Sequence, residues 1–204
     1  MTPVMVPIDY SAGPQAGERE PAPGELGLVQ AFVNTHYDLV GDRGGEVLHS
    51  PRALADWLSS RGLLEPSVSL TRADLRRALD VREGLRAMLF ANNGEDWDAE
   101  AVARLNRAAG RPGAVIQFEP DGPVFEPYER DFDGALAVLL GIVARAQLYG
   151  SWRRLKACPG DDCGWAFYDY SRNQASGWCS MSICGSRSKA RAYRQRNRRS
   201  GARR

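Results

Sequence analysis

The sequence predicts a mainly α fold: a helical N-terminal domain with one small β-hairpin, followed by a small lobe that pairs a short hairpin with a basic helix. Three observations carry this reading. Apolar residues recur at helical spacing in successive stretches between Leu26 and Leu148,. Two short β-like runs, Ala114–Pro120 and Val124–Pro127, meet at Asp121-Gly122, a hairpin signal,. All four cysteines fall between Cys158 and Cys184, as two Cys-x4-Cys pairs fifteen residues apart, and arginines follow at once. The division expected is a flexible N-terminal tail over 1–25, a helical domain over 26–150 and the cysteine lobe with its basic helix over 151–204.

Composition sets the bounds. The 43% hydrophobic content of these 204 residues is enough for a sizeable core,. No apolar run approaches roughly eighteen residues, so no membrane span or membrane partner is expected. The start of the chain has no cationic segment followed by an apolar block, so no secretory signal is expected there,. The location expected is cytoplasmic, where thiols stay reduced and clustered cysteines favour metal over disulfide. The formal charge of +2 hides a division. Residues 1–150 hold 14 basic and 22 acidic side chains, residues 151–204 hold 13 basic and 3 acidic, and no acidic residue follows Asp169. That asymmetry points to a polyanion partner for the C-terminal part. The alternative is attraction between the basic segment and its own acidic domain.

Residues 1–25 are rich in Pro, Gly and Ala and read as a poorly ordered tail,. Leu26–Gly41 has helical spacing at Leu28, Val29, Phe32, Val33 and Leu39, interrupted by Asn34, Thr35 and His36,. Ser50-Pro51 starts a short helix, with serine as N-cap and proline at the first helical position. Leu54, Trp57 and Leu58 form its stripe and Gly62 its end,. Thr71 and Asp74 read as a capping box opening a long helix through Leu75, Leu79, Leu85 and Leu89, stopped by Asn92-Asn93-Gly94,. Arg82 interrupts that stripe, as a buried ion pair or as a ligand contact. Asp96 or Asp98 caps the next helix, which runs through Val102 and Leu105. Asp131–Cys158 is the longest apolar stretch, with Leu136, Leu139, Leu140, Val143 and Leu148 on its face and Gly150 as its end or a kink,. An unknown small-molecule effector, if one binds, is expected near His36, Trp57 and Arg82.

In the lobe, Cys158, Cys163, Cys179 and Cys184 offer four soft donors on two short loops, the arrangement that tetrahedral zinc requires. Disulfides and an iron–sulfur cluster are the alternatives, the first disfavoured by reduced surroundings and the second by the spacing. One structural Zn²⁺ per chain is expected, with no open position for water and hence no catalytic metal. Trp165, Phe167 and Trp178 are expected to pack beside it. The alternation from Trp165 to Tyr170 reads as a strand entering a turn at Ser171-Arg172-Asn173.

The string from Cys158 to Arg196 resembles the CGNR zinc finger, a pattern of two Cys-x4-Cys pairs around Phe-x-Asp-x-Ser-Arg-Asn, then Trp-Cys-Ser-Met and Cys-Gly-Asn-Arg. The matching positions are Phe167, Asp169, Ser171, Arg172, Asn173, Trp178, Cys179, Ser180, Met181, Cys184, Gly185 and Arg187. Ser186 stands where the family's asparagine would, and Gly177 where an arginine is common. Upstream, Phe32-Val33-Asn34-Thr35, Leu54-Ala55-Asp56-Trp57-Leu58 and the arginine-bearing helix from Leu79 to Leu89 resemble the ABATE domain usually joined to this finger. The resemblance implies a regulator of transcription in the stress response that binds DNA.

After Cys184 a basic helix is expected to about Arg199. Arg187, Arg191, Arg194 and Arg198 share one face, widened by Lys189 and Arg196, and Arg172 adds to the surface from its turn,. Ser186, Ala190, Tyr193 and Asn197 form a second face able to dock on the lobe. These basic residues are the expected nucleic-acid contacts, and a homodimer would match the two-fold symmetry of many DNA readers. An RNA- or ribosome-associated module and a protein-interaction adaptor are the alternative functions. No enzyme is expected: the chain has no nucleophile-elbow serine, phosphate-cradling glycine loop or histidine-bearing metal motif,.

Overall fold

The structure, a computed structural model, describes residues 7–37, 45–110, 114–119, 122–127, 129–160 and 163–201, with the backbone alone for 114–119, 122–127, 192 and 198–201. Six helices and three two-stranded antiparallel sheets lie among the described residues. The fold is mainly α, with a four-cysteine lobe after the helical part.

Helix α1 (Leu26–Val33) is buried along its whole length. The helical pattern was expected to reach Gly41, but the helix stops eight residues earlier. Asn34 caps it and turns its side chain to the backbone of Ala166, while the Thr35 hydroxyl donates to the Phe32 carbonyl at 2.7 Å. Polar groups with better partners off the helix end it. The chain continues as β1 (His36–Tyr37), paired antiparallel with β2 (Gly45–Glu46). The expected contribution of Leu39 lies outside the described residues.

Helix α2 (Pro51–Ser60) starts as its sequence requires: the Ser50 hydroxyl accepts from the Ala53 amide at 3.1 Å, with proline in the first turn. Leu63 and Leu64, just past its end, fold back into the core. Helix α3 (Arg72–Asn92) opens on the reciprocal Thr71–Asp74 capping box. Asp98, not Asp96, caps α4 (Ala99–Ala108) through the Ala101 amide. Helices α3 and α4 pack so closely that a methyl group on Gly84 would stand 2.5 Å from the Leu105 Cβ. Strands β3 (Ala114–Glu119) and β4 (Gly122–Pro127) pair in register from Ala114–Pro127 to Glu119–Gly122. Asp121, expected in their turn, lies outside the described residues.

Helix α5 (Phe132–Leu148) is capped by the Asp131 carboxylate. It was expected to carry its apolar face through Leu148, but the buried face ends at Ala146 and Leu148 is 81% exposed. Gly150 then takes φ +79°, a conformation cheap only for glycine, and a 3₁₀ turn at Ser151–Arg154 leads into β5 (Leu155–Ala157),. Strand β6 (Ala166–Tyr168) pairs with β5, Leu155 opposite Tyr168. A π-type turn (Met181–Gly185) precedes α6 (Ser186–Gly201).

The larger of two apolar clusters among the described residues runs from the helices into the C-terminal hairpin. Leu28, Phe32, Leu54, Leu85, Leu89 and Leu139 have no more than traces of exposed surface, and each contributes about 1.5–3 kcal/mol by burial,. Leu155, Ala157, Ala166 and Tyr168 of the C-terminal hairpin belong to the same core. Arg82 crosses it buried, its guanidinium paired in two bonds to Glu46 at 2.7 and 2.6 Å and bonded to Thr35 Oγ1. Of the two readings of Arg82, the ion pair is the one present. No helix among the described residues is long and apolar enough to cross a membrane.

Candidate metal centre

The first cysteine pair sits on the turn of the β5–β6 hairpin. Cys158 leaves β5 with its amide donating to the Trp165 carbonyl at 3.0 Å, and Cys163 closes the loop by donating to the Gly160 carbonyl at 3.0 Å. Gly160 lets the loop pass close to the sulfurs: a Cβ there would come 3.1 Å from the Cys184 sulfur and 3.5 Å from that of Cys158. The second pair straddles the π-type turn, where the Cys184 amide donates to the Ser180 carbonyl at 3.0 Å and the Ser180 hydroxyl caps the turn.

These loops bring the four sulfurs within 4.8 Å of one another, all buried. Cys163 and Cys179 are 3.7 Å apart, and Cys179 and Cys184 3.6 Å. Zinc–sulfur bonds of about 2.3 Å in a tetrahedron place sulfurs about 3.8 Å apart, so the spacing fits one zinc ion. A disulfide requires about 2.05 Å, and all four thiols are free,. Their mutual contacts also set them against one another as acids. The hydrogen bond from Cys163 holds Cys158 far below the usual thiol range, while the same contact raises Cys163. Hydrogen bonding to Cys158 likewise raises Cys179, and burial raises Cys184. Four thiolates would gather here only around a cation. The centre is able to bind one zinc ion, held by Cys158, Cys163, Cys179 and Cys184. With four protein ligands no coordination position is left for water, and such an ion contributes fold rather than chemistry.

Around the cysteines, Trp165, Phe167 and Ala16 complete a buried cluster, with Trp178 and Ile183 partly covered beside it. Tyr37 of β1 sets its ring edge-on to Trp165 at 5.4 Å. The next loop is built on Asp169, which is fully buried and accepts from Lys156 Nζ at 2.8 Å, from the Ser171 amide and hydroxyl, and from the Ser176 amide. Burial alone would raise its pKa, but the bonds from Lys156 and Ser171 outweigh that and hold it at about 2,. Lys156 also donates to the Gln174 and Ser176 carbonyls at 2.6 and 3.2 Å. Arg172 stands exposed on the loop so formed.

Helix α6 rises from the turn that carries Cys184. Arg187, Lys189, Arg191, Arg194 and Arg196 are exposed along it. The side chain of Arg198 lies outside the described residues. Docking of the Ser186, Ala190, Tyr193 and Asn197 face on the lobe is not what the structure shows, since all four are exposed and Tyr193 is 60% so. The helix carries too little apolar surface to be held down.

His36 and Arg82 meet at the Glu83 carboxylate, to which Arg82 donates at 2.8 Å and from which His36 Nδ1 stands 3.6 Å, while Trp57 has other partners. His36 lines a cavity of about 270 Å³ with Tyr37, Glu83, Arg86 and Phe90 and with Gly160, Cys163 and Gly164 of the cysteine loop. Arg82 is occupied by Glu46, and Trp57 packs between the Phe32 ring and the Arg61 guanidinium. Ala16 and Arg19 stand near the centre without any mark in the sequence, and Lys156, read there as part of the basic region, is instead the buried partner of Asp169. Their partners lie far along the chain or in the backbone, which leaves no local pattern to read.

Residues 26–148 match the model of the ABATE family, described as "Putative stress-induced transcription regulator", and residues 154–197 match that of the CGNR zinc finger. Neither is a family of enzymes. No curated protein matches the chain.

Proposed function

Because the chain belongs to the ABATE family and carries a CGNR zinc finger, we propose that it is a zinc-dependent transcription regulator that binds nucleic acid, DNA in the first instance, through α6. One observation carries the reading: an arginine-rich helix, whose described basic side chains are all exposed, springs directly from a turn whose cysteine belongs to the metal centre. Zinc fixes where the helix starts, and phosphates neutralise the like charges along it. Arg187, Lys189, Arg191, Arg194, Arg196 and Arg198, with Arg172 on the adjoining loop, are the proposed contacts. Those near the helix start, Arg187 and Arg191, are placed to reach base edges if the helix enters a major groove.

The helical part, residues 26–150, would then serve effector sensing or oligomerisation, and residues 151–204 the nucleic acid. A small effector would use the cavity that His36 lines, and a homodimer would present two basic helices to a two-fold site,.

Duplex binding measured across salt concentrations tests the central claim. About six phosphate contacts give a slope of log K against log salt near −5. Replacing Arg187, Arg191 and Arg194 together by Gln should flatten it by about 3. No binding at ~50 mM salt, or binding that ignores these replacements, would reject the proposal. Competition with structured RNA decides between the two polymers, and a clear RNA preference moves the assignment to an RNA-associated module. Capture of an acidic protein that survives nuclease treatment would instead mark an adaptor.

A further inference from the structure

The segment before α1 lies outside both matched ranges, yet it reaches the metal centre. Arg19 donates from Nε to the Cys179 carbonyl at 2.6 Å and from Nη2 to the Trp178 carbonyl at 2.7 Å. A longer bond from Nη1 reaches the Tyr168 carbonyl at 3.4 Å, and the guanidinium lies 4.6 Å from the centre of the Phe167 ring. Ala16 is buried in the same cluster as the four cysteines. A side chain at Gly17 would meet the Ser180 hydroxyl at 3.0 Å, the group that caps the π-type turn.

The strap is held on both sides of Arg19. The Gln30 side chain accepts from the Ala22 amide at 2.7 Å and donates to Gln15 Oε1 at 2.7 Å. The Tyr170 hydroxyl donates to the Pro21 carbonyl at 2.8 Å.

We propose that Arg19 is a positioning residue of the metal centre, which fixes the two peptides on either side of Cys179 and sets a positive charge beside the thiolates. This rests on the reading of the four cysteines as a zinc site. A fork bonded to two consecutive carbonyls fixes the peptide planes on both sides of the Cys179 Cα, and with them the direction in which Cys179 presents its sulfur,. The Cys179 sulfur stands 3.7 Å from that of Cys163 and 3.6 Å from that of Cys184. Charge adds to geometry. Four thiolates around Zn²⁺ sum to two negative charges in a buried place, and a guanidinium at its edge offsets part of them. Removing Arg19 therefore weakens the grip on the ion without touching a ligand.

Zinc affinity measured by competition with a chromophoric chelator, on the full chain, tests this. Wild type should hold one zinc per chain. Arg19→Gln should bind it about 10- to 100-fold more weakly, the loss usual when a group bonded around a metal ligand is removed. Arg19→Lys should recover part of the loss, since it keeps the charge without the fork. The cobalt-substituted protein should show a shifted thiolate-to-metal absorption in Arg19→Gln, which lost packing far from the metal would not produce. Arg52→Gln, an exposed change on α2, serves as control. Wild-type affinity in Arg19→Gln overturns the role of Arg19 alone, whereas a wild type that takes up no zinc overturns the metal reading with it. If Arg19→Gln does not fold, Arg19→Lys decides: weakened binding supports the role, and wild-type binding overturns it.

Discussion

Asp169 and Lys156 form the buried ion pair on which the loop carrying Arg172 is folded. Replacing Asp169 by Ala would leave a buried ammonium without its partner, a loss of about 3–5 kcal/mol measurable by denaturant unfolding of the zinc-loaded protein. The pair also has a pH signature. The folded-state pKa of Asp169 is held at about 2, below its ordinary 3.8, so its stabilisation is complete above about 4 and is lost as the pH falls toward 2,. The stability gap between wild type and Asp169→Asn should narrow over that window and stay constant above it. At this scale the sequence was legible where the spacing is local. Four thiols in two short loops declare a metal site before any coordinates are known. Arg19 did not declare itself, because it acts on backbone carbonyls, and a carbonyl looks the same under every residue type; Lys156 read only as part of the basic region, because its partner Asp169 lies thirteen residues on.

Helix starts were legible because caps are local chemistry: Ser50, Thr71, Asp98 and Asp131 each bond an amide within three residues,. Helix ends were less so. Helix α1 stops where Asn34 finds a better partner across the molecule, and the buried face of α5 ends at Ala146, before the apolar pattern and the helix do. The contact of α3 with α4 depends on the missing side chain of Gly84. Gly84→Ala should destabilise by about 1–3 kcal/mol in thermal or denaturant unfolding, because the Leu105 Cβ stands where the methyl would go, even though alanine is the better helix former,. For α6, the start is tied to the metal through Cys184. A chelator should therefore lower helicity by circular dichroism and weaken duplex binding together, while zinc restores both,.

Taken whole, the molecule is less divided than its sequence reads. Charge, cysteine content and Gly150 all change near residue 150, yet the apolar core continues past it into β5 and β6. The side chains of Asn92 and Asn93, at the end of α3, donate to the carbonyls of Trp152, Leu155, Ala157 and Gly177, and Arg86 donates to that of Gly164. A fragment of residues 151–204 supplied with zinc should therefore fail to give the dispersed amide spectrum of a fold, since the hairpin would lose its apolar cover and these donors at once. Composition marks where chemistry changes, and packing need not respect that line. One side chain shows the same economy in another way. Asn34 accepts from the amide of Ala166 and donates to its carbonyl, as a neighbouring strand would do. The outer rim of the small β5–β6 ribbon is thereby blunted within the molecule, so a stray chain finds no ladder there to extend, and the ribbon stays two strands wide when copies crowd together.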